Sequence, residues 1–139
     1  MDRQGVLEFV KQHPISHMAT LDGGKPRVRA MQTAIVDEAG LTFCTGSHKD
    51  LARQLTEDLA VELAYWDPKS GIQLRVCGEM ECVDDLDVKT HIVEHVFPFL
   101  KPVVEHHGYD AVALFRLSRG ETKQWTQERG HEPPEVEAF

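Results

Sequence analysis

Apolar side chains recur along this chain first at helical and then at strand spacing. Behind Asp2, a residue suited to capping, Val6, Leu7 and Val10 fall on one face of a helix that Pro14 ends. Residues 16–21 are extended in character, Asp22-Gly23-Gly24 supplies the positive φ values of a tight hairpin turn, and residues 27–36 run back. A further turn at Asp37-Glu38-Ala39-Gly40 leads into residues 41–45, so an antiparallel meander is expected. Ser47 reads as opening a second helix, with Asp50 at capping-box spacing and Leu51, Leu55 and Leu59 as its buried stripe.

Residues 60–66 and 72–83 read as two strands about the turn Asp67-Pro68-Lys69-Ser70-Gly71. The second alternates Ile72, Leu74 and Val76 with Gln73, Arg75 and Cys77, leaving one polar face. Asp84 or Asp85 caps a helix with Val88, Ile92 and Val96 inward, ended by Pro98 and Pro102. Residues 109–118 and 122–126 form a last hairpin about Arg119-Gly120. From Gln127 the chain is rich in Pro and Glu and reads as a flexible acidic tail, residues 127–139, attached to one domain of residues 1–126. Seven short strands with inserted helices predict a mainly β (α+β) fold, a small antiparallel barrel whose closure removes exposed strand edges.

Composition narrows the function. The chain has 139 residues, enough for one core. Its formal net charge of -8 argues against nucleic acid and anionic membrane surfaces as partners. Between residues 25 and 53 the balance reverses: Lys25, Arg27, Arg29, Lys49 and Arg53 outnumber Asp37, Glu38 and Asp50. A small anion would be drawn there. The N-terminus lacks the basic start and apolar run of a secretory signal, and no window is apolar enough to span a bilayer, so a cytoplasmic location is expected. Cys44, Cys77 and Cys82 form no CxxC pair and suggest reduced thiols.

The anion-binding candidates lie in Arg27-Val28-Arg29-Ala30-Met31-Gln32 and in Cys44-Thr45-Gly46-Ser47-His48-Lys49. Two positions apart on a strand, Arg27 and Arg29 share a face at about 7 Å, close enough for both guanidinium forks to reach one phosphate. Ser47, His48 and Lys49 are expected in the first turn of the second helix, where free N–H groups and the helix dipole attract an anion. His91-Ile92-Val93-Glu94-His95 spells H-x-x-E-H, which resembles inverted zincin proteases. No third ligand follows at a defined spacing, so these histidines, like His106-His107, are read as solvated and no metal is expected. Cys44 reads as a small buried hydrophobe without a catalytic role, and Tyr65 and Trp66 as packing or interface residues.

These segments, with Gln73 five residues before Gly78 and Trp125 near the end, resemble the pyridoxamine 5'-phosphate oxidase-like FMN-binding split-barrel family over about residues 16–126. The resemblance implies a split barrel with FMN held at a homodimer interface. It implies that residues 27–32 run along the flavin and supply basic contacts, that Cys44 and Thr45 touch its ring or ribityl chain, and that His48 and Lys49 hold its phosphate. Gln73 and Trp125 would approach from the other subunit. The implied activity is an oxidoreductase acting with a small-molecule electron donor or acceptor, catalytic residues unassigned. A non-catalytic FMN-binding or sensing module, or a deazaflavin- or haem-binding relative, is the alternative. Arg129-Gly130-His131 has the Arg-x-His pattern of the family's substrate motif but follows Trp125 too closely, so a substrate other than a vitamin phosphate is expected.

Overall fold

The computed structural model describes residues 1–139. Asp2 caps α1 (Arg3–Gln12) by accepting from the Gly5 N–H, and Val6, Leu7 and Val10 are buried as their spacing predicts. The long hairpin follows as β1 (Ile15–Asp22) and β2 (Lys25–Gln32), then β3 (Ile35–Asp37), β4 (Gly40–Gly46) and α2 (Asp50–Glu57). Next come β5 (Ala60–Asp67), β6 (Ile72–Glu79), β7 (Glu81–Val83) and α3 (Leu86–His91). A π-helical turn (Ile92–Val96), a 3-10 turn (Pro98–Leu100) and α4 (Lys101–His107) lead to β8 (Val112–Leu117), β9 (Glu121–Thr126) and β10 (Glu135–Ala138). No helix is long and apolar enough to cross a membrane.

The strands form two antiparallel sheets, ordered β10-β9-β6-β5-β1-β2 and β3-β4-β8-β7. The α+β class is as expected, but there are ten strands rather than seven and two sheets rather than one closed barrel. Alternation turns Met18, Leu63 and Val76, neighbours across β1, β5 and β6, inward. They meet Leu41, Phe43, Phe115 and Leu117 of the small sheet, with α1 and Leu51 and Leu55 of α2 closing the core. Gly40 permits one close approach: its φ is +125°, and a Cβ there would lie 2.2 Å from the Leu117 carbonyl oxygen.

Three elements differ from the sequence reading. The strand expected over residues 72–83 changes sheets at Met80, whose N–H donates to the Leu59 carbonyl at 2.8 Å. Met80 is buried in phase with Leu74 and Val76, so the periodicity continues through the break and conceals it. Asp85 caps α3, but the helix loosens into the π turn after His91, burying Ile92 and Val93 and leaving Val88 and Val96 half-buried. The C-terminal segment, expected as an acidic tail, carries a strand. Residues 135–138 pair with β9, and Phe139 is 6% exposed beneath the Arg3 guanidinium, 4.4 Å from its ring centroid. Four glutamates mask a short alternating strand and its single aromatic anchor, so residues 127–139 belong to the same unit as residues 1–126.

Replacing Phe139 by Ala should therefore cost about 3 kcal/mol of stability by emptying a core site. Urea unfolding reads this directly, and an unchanged midpoint would restore the loose-tail description.

Candidate functional site

β2 is an edge strand, paired only with β1, so alternate backbone N–H and C=O groups along it have no strand partner. Its alternation sends Arg27, Arg29 and Met31 to the face shared with Thr20, Met18 and Ser16. Val28, Ala30 and Gln32 point to the other face. The inward side is closed by the end of β4 and the start of α2.

The two arginines have different tasks. Arg29 Nη1 donates to Thr20 Oγ1 at 2.7 Å and its Nη2 to Gln54 Oε1 at 2.6 Å. Thr20 Oγ1 donates to the same Gln54 oxygen at 2.6 Å. Gln54 is 2% exposed, and burial moves the Arg29 guanidinium below its ordinary pKa. Arg29 is thus anchored inward, against the expectation that both forks are free for one anion. Arg27 remains exposed, its Nε 3.7 Å from Asp22 Oδ2. Asp22 is held chiefly by Arg53, whose hydrogen bonds at 3.1 and 3.3 Å lower its pKa.

The expected helix start is displaced. α2 begins at Asp50 with Lys49 as N-cap and no side-chain cap. Ser47 Oγ instead donates to the Asp110 carbonyl at 2.5 Å, so the hydroxyl proton is already committed. Gly46 gives the turn room, because a Cβ there would stand 2.9 Å from the His48 ring. Lys49 is exposed and makes no ion pair.

A two-lobed cleft results. Its basic lobe, about 520 Å³, is lined by Arg27, Val28, Arg29, Lys49, Asp50 and Gln54 among others. The second lobe, about 450 Å³, is mainly apolar and carries Gln32, Cys44 and His48 with Phe97, Phe99, Leu100 and Val103. Ala30, Met31, Thr45 and Lys49 line both. Burial pushes the Cys44 thiol up to about 11, partly offset by Lys49, which suits a packing residue. The aromatic wall escaped the sequence reading; its signal is Phe97-Pro98-Phe99, where two rings flank a proline that ends the helix.

Gln73 and Trp125 do not line this cleft. They are cross-strand partners of β6 and β9, with Trp66 on the other side of Gln73. Trp125 is 39% exposed and Trp66 48%, both on the outward face of the large sheet. Beside Trp125 a small hollow is closed by residues 129–135, and a Cβ at Gly130 would lie 3.2 Å from the indole. Arg129 there is paired with Glu132 at 2.7 Å and Glu135 at 3.2 Å. His91 and His95 are exposed with ring centroids 5.4 Å apart. No group of three potential metal ligands gathers anywhere in the chain.

The profile of the family described as pyridoxamine 5'-phosphate oxidase matches residues 3–123. No curated protein matches the sequence. Among solved structures, a NimC/NimA family protein from Clostridium acetobutylicum superposes with TM-score 0.79 at 25% identity, covering 98% of this chain and 92% of that one. A pyridoxamine 5'-phosphate oxidase-related, FMN-binding protein from Nostoc punctiforme gives TM-score 0.70 at 13% identity, over 99% and 96% of the two chains. A heme-binding protein from Mycobacterium smegmatis gives 0.67 at 13% identity, over 94% of this chain and 55% of that one.

Gln54→Leu should cost about 2 kcal/mol, because the Thr20 hydroxyl and Arg29 guanidinium lose their shared acceptor. Chemical denaturation of this variant beside Gln54→Glu, which keeps an oxygen acceptor, checks it; equal losses would remove the anchoring role.

Proposed function

Since the chain belongs to the pyridoxamine 5'-phosphate oxidase family, we propose that it is an FMN-binding flavoprotein, an oxidoreductase acting on a small molecule. The observation that carries this reading is the two-lobed cleft, which joins a cationic lobe at an edge strand to an apolar one. Arg27 and Lys49 are the exposed charged donors suited to a phosphate, and Thr45 and the unpaired β2 backbone add uncharged ones. Arg29 contributes positive charge from its anchored position. Asp50 opposes the anion, and Arg53 lies 3.7 Å from its carboxylate. The donor set fits a phosphorylated cofactor, and Gly46 leaves space where a larger residue would displace His48. FMN would supply the hydride and electron chemistry, so the protein needs to supply position, charge and exclusion of water.

The protein acts as a homodimer in this reading. Ile15, Trp66, Trp125 and Val136 leave an apolar surface on the outward face of the large sheet, of the kind a second copy covers. Gln73 and Trp125 lie on that face and would reach the partner's flavin across the interface. A cytoplasmic setting accords with three free thiols. The substrate is not a second phosphate ester at Arg129, because Glu132 and Glu135 already occupy that guanidinium.

The isolated protein should be yellow and release FMN on denaturation; a haem or deazaflavin spectrum would replace the cofactor assignment. Lys49→Ala should weaken FMN binding by about tenfold, the worth of one charge-assisted contact, while Lys25→Ala leaves it unchanged. Flavin titration decides this, and equal effects would sink the phosphate site. Anaerobic bleaching by NADH or NADPH separates an enzyme from a passive carrier. Light scattering should give a dimer mass, and Trp66→Glu should lower both the mass and the FMN content. A monomer with full flavin content would exclude a shared site.

A further inference from the structure

Asp22, at the hairpin end of β1, is reached by cations from two other elements. Across the hairpin it faces Lys25 and lies diagonal to Arg27, both on the same face of β2. From α2, Arg53 donates through Nη1 to Oδ1 at 3.1 Å and through Nη2 to Oδ2 at 3.3 Å, so one fork takes both carboxylate oxygens. Arg27 Nε stands 3.7 Å from Oδ2, within ion-pair range but too far to donate a hydrogen bond, and Arg27 Nη1 reaches only the Pro26 carbonyl, at 3.4 Å. Arg53 is accordingly the first cause of the lowered Asp22 pKa, ahead of Arg27 and Lys25. The cation that holds Asp22 does not line the cleft, and the one left over does.

We propose that Arg53 is a positioning residue for the basic lobe: it occupies Asp22 and so keeps Arg27 free to meet a phosphate. This deepens the flavoprotein reading and rests on it for the identity of the phosphate. The Asp22 carboxylate and a bound phosphate are rivals for one guanidinium, and an approach of about 1 Å would turn the Arg27 contact into a charge-assisted hydrogen bond. Without Arg53, Asp22 loses both of its side-chain donors, and Arg27 is the one remaining cation within ion-pair distance. Arg53 also lies 3.7 Å from Asp50 and 3.6 Å from Glu57, so it screens acidic neighbours of the lobe. That screening acts on any anion through space and does not require Asp22, which makes it separable from the capture of Arg27. The Arg27 and Arg53 side chains are about half exposed and Asp22 a quarter, so the effect is on the scale of a surface ion pair, a few-fold in affinity.

The test titrates FMN, and riboflavin, which lacks the phosphate, into the full chain freed of flavin by dialysis, at low ionic strength. Arg53→Met, which keeps the aliphatic stem and suits a helix, should weaken FMN binding about threefold and leave riboflavin binding unchanged. Asp22→Asn, which breaks the same pair from its other side, should not weaken FMN binding. In the Asp22→Asn background Arg53→Met should cost less than about twofold. A loss in Asp22→Asn equal to that in Arg53→Met makes the pair a structural fastener and overturns the proposal. A loss that persists in full in the double variant belongs to screening and overturns it too, as does an Arg53→Met variant that binds FMN like the parent or loses riboflavin equally. Failure of the flavoprotein reading shows separately, as absence of FMN uptake by the parent chain. The capture of Arg27 is then decided without ligand, by heteronuclear NMR of its Nε–H, a signal assigned by its loss in Arg27→Lys. Exchange of that proton with water should slow in Arg53→Met and recover in the double variant, and unchanged exchange in Arg53→Met overturns the proposal.

Discussion

One buried carboxamide oxygen ties three elements together. Gln54 Oε1 on α2 accepts from Thr20 on β1 and from Arg29 on β2, so the helix is fastened to the hairpin by a charge-assisted contact shielded from water. With α2 fastened there, Lys49 at its start comes to stand opposite Arg27 and the exposed edge of β2. Removing the oxygen strands a guanidinium in a half-buried place, which is why the arrangement is costly to disturb. An arginine that resembles a ligand-binding group in a linear reading is here what keeps the neighbouring cation in place.

The rest of the cleft follows from how the two sheets are joined. β4 runs straight from the small sheet into the turn before α2, bringing Cys44, Thr45 and Gly46 to the middle. The insertion between β7 and β8 returns over the same place with Phe97 and Phe99. Cationic and apolar walls therefore come from different parts of the chain, each supported by its own backbone contacts. A change in the insertion can alter one lobe while the other keeps its charge, an arrangement that allows one fold to serve several substrates.

Much of this was legible in the sequence where a single period governs an element. α1 is marked by Asp2, Val6, Leu7 and Val10, and the β1–β2 hairpin by Gly23 and Gly24, both with positive φ. The candidate segments 27–32 and 44–49 do converge on one cleft, apart from Ser47, whose proton goes to Asp110. What stayed hidden depends on partners remote in the chain. No local pattern marks the change of sheet at Met80, the docking of Phe139, or the choice of Gln54 over solvent by Arg29. The outward placement of Gln73 was visible as a polar face, but its pairing with Trp125 across β6 and β9 and the separation of both from the cleft were not.

The crossover between sheets also shapes how the chain reaches this state. Arg116 and Thr42, joined by a side-chain hydrogen bond in neighbouring strands of the small sheet, are 74 residues apart in sequence. The β1–β2 hairpin closes over a two-residue turn and can form in about 1–10 μs. The pairing of β4 with β8 must wait for a long loop to close, and folds governed by such contacts mature in about milliseconds to seconds. During that interval β4 has strand edges that β8 will later cover, so the slow step is also when an apolar strand such as Leu41–Phe43 is open to association with another chain.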